Sequence, residues 1–347
     1  MPATVVDPEV VRAMRRFQAG LLAEDEALLR AMARRWVQVE RALLDKIELL
    51  VVEATEQVAA GWTVTPVTAQ QLRRYRSLLD QLYAEVSRYQ EYAAATIIRR
   101  QGELAGLGIE HARAALLVGE AGAVGAFDVL PVEALQFMVG LVSDGSPLRE
   151  YLARVYPQAA EGMLDALVHG LGLGWNPKRT ARAMRDGLGV GLRTALNTAR
   201  TETLRVYREA SRAQYQASGR VDGYLRLAAK SQRTCVACLA QDGEWYPLST
   251  SFEDHVRGRC TMIPAREGMQ PGWLTGQKYF EGLDAETQQR MMGKGLYEMW
   301  RDGEIDFEDT AHRHIDATWG HSWQVASKRQ AVENKEARGG LHGNQGN

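Results

Sequence analysis

The residues with the clearest chemical potential lie in one stretch, TCVACLAQDGEWYPLSTSFEDHVRGRC, which runs from Thr234 to Cys260. It reads Cys235, two residues, Cys238, sixteen residues, His255, four residues, Cys260. Zn2+ prefers four nitrogen or sulfur ligands in a tetrahedron, and three cysteines with one histidine is one of its standard structural sets. Cys235 and Cys238 are close enough in sequence to bind one ion from a single turn. His255 and Cys260 would return to it after a hairpin built on the tight-turn pair Asp242 and Gly243. A set of four protein ligands leaves no open position for water, so the expected role of Zn2+ is structural. Two other readings exist. Free cysteines pack as small hydrophobes, and a Cys-x2-Cys pair can be a redox motif when it opens a helix in a βαβ setting. Around Cys235, however, the residues read as strand and turn.

Composition frames this site. The 347 residues suffice for two or three domains with cores of their own. Forty-two Lys and Arg against forty-three Asp and Glu leave a formal charge of −1, so no global field draws the chain to DNA or a membrane. No stretch approaches the roughly 20 apolar residues that span a bilayer, and Met1 to Val11 lacks the profile of a signal peptide. The three cysteines, an odd number, fit a metal site in a reducing cytoplasm better than a disulfide framework.

The elements that must position the site are mostly helical. Leu22, Leu29, Trp36, Leu43 and Leu50 repeat every seven residues, with Met32 and Val39 between them, which predicts a long helix from about Pro8 to Ala60. Gly61 to Thr65 interrupts it, and Thr65 with Pro66 forms a cap and first turn. Leu72, Leu79, Val86 and Ala93, with Tyr75, Leu82 and Tyr89, predict a second helix to about Gln101, paired with the first as a hairpin. Trp36 and Leu43 are then either core or anchors for another chain. Gly102, Gly106 and Gly108 loosen the pattern. Shorter helices follow through Ala126, from Val132 to Val142 and from Pro147 to Leu171. Asn176 caps and Pro177 opens another, and a connection at Gly187 to Gly191 leads to a longer helix ending near Ala217.

After Gly219 the pattern changes to short β candidates at Val221 to Ala229, Trp245 with Tyr246, and Thr261 to Ile263. The expected fold class is therefore mainly α, with an N-terminal long helical hairpin and a small α+β module stapled by zinc. The expected domains are a hairpin region over 1–105, a helical middle over 106–218, the zinc module over 219–270, a helical segment over 271–326 and a disordered tail over 327–347.

Three segments then resemble one family. TARTET at Thr198 to Thr203, VDGYLRLAAKSQRTCVACLAQDGEWYP at Val221 to Pro247 and HVRGRC at His255 to Cys260 are similar, in order and spacing, to the minor head proteins of tailed phages related to the F protein of phage Mu, also called head morphogenesis proteins. The likeness covers about residues 165 to 265, and Tyr279 to Ile305 looks like a tail found in some relatives. One departure stands out: the family often has a cysteine two residues before the last one, where this chain has Gly258. The resemblance implies a capsid-associated protein made in the host cytoplasm and carried in the virion. It would bind the portal protein at the portal vertex during head assembly, with major capsid or scaffolding protein as further partners, no membrane, and no enzymatic activity.

Other residues have readings of their own. Arg200 and Glu202 belong to the family turn and are expected to tie their helix to the zinc module, the alternative being a surface ion pair. Lys178, Arg179, Arg182, Arg185, Arg193, Arg205, Arg208 and Arg212 form a basic stripe, candidates for contact with packaged DNA or the portal; the alternative is a solvated helix face. His312, His314 and His321, among Asp306, Glu308, Asp309 and Asp316, carry the rival function, a hydrolase or toxin-type enzyme with a C-terminal histidine centre. Trp300, Trp319 and Trp323 are expected to pack near them.

Overall fold

A computed structural model describes residues 4–119 and 128–342. The chain is mainly helical with small antiparallel sheets. Its helices are α1 (Pro8–Ala59), α2 (Pro66–Ala69), α3 (Arg73–Gly119), α4 (Leu148–Leu152), α5 (Val155–Gly172), α6 (Pro177–Ser218), α7 (Val236–Ala240), α8 (Gly276–Glu281), α9 (Ala285–Met292), α10 (Lys294–Arg301) and α11 (Lys328–His342). Its strands are β1 (Gly223–Leu227), β2 (Trp245–Pro247), β3 (Thr261–Ala265), β4 (Ala311–Asp316) and β5 (Gly320–Val325). They form two compact units, and these differ from the expected domains. One comprises 24–100 and 140–202, the other 1–23, 101–139 and 203–347, so α1, α3 and α6 each contribute to both.

In the first unit the two heptad seams form the core. Trp36 and Leu43 have no exposed surface, and Leu29, Met32, Val39 and Leu50 are buried with Leu72, Tyr75, Leu82, Val86, Tyr89 and Ala93. Trp36 meets Tyr89 edge-on at 4.7 Å between ring centres, a geometry that adds about 0.5–1.5 kcal/mol beyond the area buried. Polar side chains fix the register: Gln81 donates to the Ala42 carbonyl at 2.8 Å, and Lys46 to Ser77 Oγ at 2.9 Å. Thr65 caps α2 through a capping box with Thr68. Asn176 Oδ1 accepts from the Arg179 N–H at 2.9 Å and so caps α6.

Glycine is where expectation and structure part. Gly102, Gly106 and Gly108 do not end the second helix, because α3 continues to Gly119. A Cβ on Gly108 would come within 2.5 Å of the Tyr207 carbonyl oxygen in α6, so glycine there permits close helix packing. Gly187 and Gly191 likewise lie inside the uninterrupted α6. Side chains at Gly187 and Gly162 of α5 would each collide with the other's backbone, and one at Gly191 would crowd Val155 and Ala159. Close approach compensates for glycine's poor helix propensity.

The second unit contains the sheet β2-β1-β3, in which Tyr224 faces Tyr246 and Leu225 faces Ile263. Two corrections fall near the C-terminus. The expected helical segment over 271–326 holds α8 to α10 but then a β4–β5 hairpin, closed where Asp316 Oδ1 accepts from the Thr318 and Trp319 N–H groups and Gly320 takes φ +70°. Its strands are polar on both faces and lack apolar alternation. The tail expected to be disordered is helical as α11 over 328–342. Few apolar groups hold it. Asn334 instead donates to the carbonyls of Asp309 and Ala311, and Arg338 pairs with Asp309 at 2.7 Å, around a buried Ala331.

These contacts predict opposite effects for two substitutions two residues apart. Gly187→Ala, which must push two helix backbones apart, should cost about 1–3 kcal/mol of stability. Gly189→Ala, with nothing within 4 Å of its new Cβ, should add about 0.5–1 kcal/mol. Denaturant midpoints of the two variants would show the difference.

Candidate metal centre

The sheet holds the cysteine and histidine residues from below. β1 and β3 are fully buried strands, and the chain leaves β1 through Lys230, in left-handed backbone at φ +46°, before turning into Cys235. Cys235 is the N-cap of α7, and its Sγ accepts from the Cys238 N–H at 3.4 Å. The pair thus opens a one-turn helix, not the strand and turn that the sequence suggests. Five residues are too few to show helical periodicity. The setting is not the βαβ of a redox pair, because the sheet is antiparallel.

Cys235, Cys238, His255 and Cys260 all line one cavity of about 20 Å3. Their ligand atoms fall into two overlapping groups: Cys235, Cys238 and His255 in one, and Cys238, Cys260 and Asp254 in the other, each with all atoms within 4.8 Å of one another. His255 Nδ1 lies 2.9 Å from the Val256 carbonyl, to which its N–H donates, leaving the Nε2 lone pair turned to the cysteines. Nε2 is 3.3 Å from Cys235 Sγ, close to the roughly 3.5 Å between two ligands of a tetrahedral zinc. The cluster could hold a metal ion.

The acidities describe crowding. The hydrogen bond with Cys238 lowers the Cys235 thiol. Contact with Cys235 raises Cys238, and contact with Cys238 together with burial raises Cys260 well above its ordinary value. Burial would depress His255, but Cys238 and Asp254 lift it to about 10. Three sulfurs this close cannot all be thiolates on their own, whereas a cation at their centre would allow it.

Beneath the cluster lies a charge network that the sequence did not reveal. Asp254 is buried between two guanidiniums, with Arg226 at 3.0 Å from Oδ1 and Arg208 at 2.8 Å from Oδ2. Burial alone would raise its acidity constant; the two arginines and His255 hold it below the ordinary carboxylate value. Arg226, fully buried in β1, also donates to the Glu253 carbonyl at 2.7 Å and lies 3.9 Å from Cys238 Sγ. Arg208 of α6 donates to the carbonyls of Cys260 and Gly258, each at 2.9 Å. Both arginines lie against the Phe252 ring, 4.4 Å and 5.0 Å from its centre. A side chain at Gly258 would run into the Asp254 carboxylate. Any side chain at 258 would need the room that Asp254 occupies.

The Asp242–Gly243 turn is present, but it joins α7 to β2 and does not close the expected hairpin, because the segment before it is helical and β2 pairs with β1. Gly243 takes φ +95°. The buried Asp242 carboxylate accepts from the Ala228 N–H at 2.6 Å and from Trp273 Nε1 at 3.0 Å, and pairs with Lys230 at 2.6 Å. Burial depresses the Lys230 ammonium, against the pull of Asp242. The turn thereby anchors the strand end that leads into Cys235.

Arg200 and Glu202 tie α6 to other parts of the helical unit. Arg200 is buried against Asp25 at 2.5 Å and Glu26 at 2.8 Å in α1, and Glu202 accepts from the Ser143 N–H at 3.1 Å. These partners are within the helical unit, and Arg208 links α6 to the cysteine module. The basic stripe is also divided. Arg208 is committed to Asp254, and Arg212 pairs with Glu209 at 2.7 Å, while Lys178, Arg182, Arg185 and Arg193 are exposed and Arg179 lies 3.9 Å above the Trp175 ring.

The C-terminal histidines do not converge. His312 and His314 occupy one face of the hairpin, opposite Gln324 and Ser322, while His321 pairs with Ile315 on the other face. Trp300 and Trp323 pack against the core of this unit. No protein-family model, curated protein or solved structure matches the chain. Among the described residues, no helix is long and apolar enough to cross a membrane.

The network predicts a strong response to a nearly isosteric change. Asp254→Asn leaves two buried guanidiniums without their counter-charge and should cost about 3–5 kcal/mol, read as a lowered unfolding midpoint.

Proposed function

We propose that the protein is a zinc-stapled assembly protein without catalytic activity: a minor head protein of a tailed phage that binds the portal protein at the portal vertex. The observation that carries this reading is how the cysteine cluster is used. The residues that resemble the head morphogenesis family from Val221 to Pro247 and His255 to Cys260 converge on one buried cluster. Its four ligands, two arginines and one aspartate face one another, with no open pocket for a substrate. Such a centre staples a fold. It leaves the helical surfaces as the parts that meet partners, with capsid or scaffolding protein and packaged DNA as further contacts and the virion as its place.

Zinc suits the donor set, three sulfurs and one imidazole with no redox demand. Charge points the same way. A dication bound by three thiolates and a neutral imidazole carries one negative charge; with Asp254 and the two guanidiniums, the buried assembly sums to zero. Arg226 beside Cys238 and Arg208 on the Cys260 carbonyl would then fix the ligands from outside.

Two measurements test the reading in separate parts. Elemental analysis of the purified chain should find one zinc per molecule, and Cys238→Ser or Cys260→Ser should lose it together with a marked fall in melting temperature; full metal content in either variant rejects the site. Co-expression with a tailed-phage portal protein from the same genome should give a complex that co-sediments. Clean separation of the two would reject the assembly role.

A further inference from the structure

Within the helical unit, α1 and the start of α6 border an open groove of about 480 Å3. Its floor includes Leu44 and Val52 of α1 and Ala181 of α6. Val52 is 46% exposed and its neighbour Leu49 is 50% exposed, although Leu43, Leu50 and Val51 of the same stretch have no exposed surface. Exposed apolar side chains are ordinary when scattered, but where they gather along a groove they can mark a surface where another docks. Lys178, Arg182 and Arg185 line the α6 wall, all three exposed, facing a single acid in the lining, Glu48. Arg185 has a loose pairing with Asp186 at 3.8 Å and also feels the Glu40 carboxylate. Lys178 and Arg182 have no acidic partner among the described residues.

We infer that this groove is a docking site for an amphipathic helix of a partner protein, with apolar anchors for the floor and acidic side chains for the Lys178, Arg182 and Arg185 wall. The span from Leu44 to Val52 is about 12 Å, the length over which a helix sets down anchors at i, i+3 or i+4, and i+7. The net positive wall selects acid over base in the occupant, and the apolar floor selects a protein over nucleic acid, whose backbone would meet the cations but leave Leu44 and Val52 wet. The inference goes beyond the assembly role, which any other surface could serve.

The test uses the full chain and a labelled synthetic helix carrying leucines at i, i+4 and i+7 with glutamates between, followed by fluorescence anisotropy. Saturable binding is expected, weakened at least about tenfold by Val52→Asp and equally by Lys178→Glu with Arg182→Glu, since losing an anchor or its charge partner commonly costs that much. The same peptide with lysines in place of glutamates should not bind. Both variants change exposed side chains, and circular dichroism checks that each stays folded. Three results overturn the inference: equal binding of both peptides; duplex DNA that displaces the peptide and is sensitive to the charge reversal but not to Val52→Asp; or self-association of the chain that Val52→Asp abolishes, which makes a second copy the occupant. Portal capture that survives both variants would place the portal contact elsewhere and leave the peptide result to decide the groove. Peptide binding as expected, with no portal capture by the unaltered chain, would keep the groove and remove the portal.

Discussion

The pairing of Asp254 with Arg208 and Arg226 is the interaction on which the cysteine module depends. An ion buried without a partner is among the costliest features a fold can carry, so none of the three can be placed independently. Arg226 comes from a central strand, Arg208 from a long helix, and Asp254 from the residue just before His255. Their meeting fixes three chain segments at once. Arg208 also holds the carbonyls of Gly258 and Cys260, so the last ligand is placed by the same guanidinium that answers the aspartate. The candidate metal ligands are thus attached to a network that specifies their position independently of any ion.

The helical unit solves a different problem by a different means. Long helices can bury a seam of large side chains on one face only if other faces allow neighbours to approach. Trp36, Tyr89 and the leucines fill the seam between α1 and α3. On α5 and α6 the contact is made instead by Gly162 against Gly187, and by Gly170 against Thr180. Large residues supply buried area and small ones supply proximity. The same chain uses both within one core.

Much of this was legible in the sequence. The heptad seams, the Thr65 and Asn176 caps, the Asp242–Gly243 turn, the three short strands and the four spaced ligands are all local or periodic signals. Where reading failed, the cause was a contact between distant residues. Glycine within a helix reads as a break unless one knows that Tyr207 or Gly162 lies against it. α11 reads as a solvated tail because Asn334 and Arg338 find their partners some twenty-five residues earlier. Arg200 and Glu202 lie near Arg208 in sequence, and nothing local says which of them reaches the cysteine module. Asp254, next to His255, carries no local sign that arginines from a helix and a strand reach it.

Arginine in α6 shows why composition cannot assign a role. Over one helix the same residue type is a buried counter-ion at 200 and 208, half of a near-neighbour pair at 212, a cap over an indole ring at 179 and a free cation at 182. A count of basic residues treats these as one stripe. Desolvation separates them. A guanidinium that has already given its charge to a buried carboxylate has none to offer a phosphate or a partner's acid, so an electrostatic contact made by this helix falls to its exposed cations, Arg193 and those at its start, where the groove also lies.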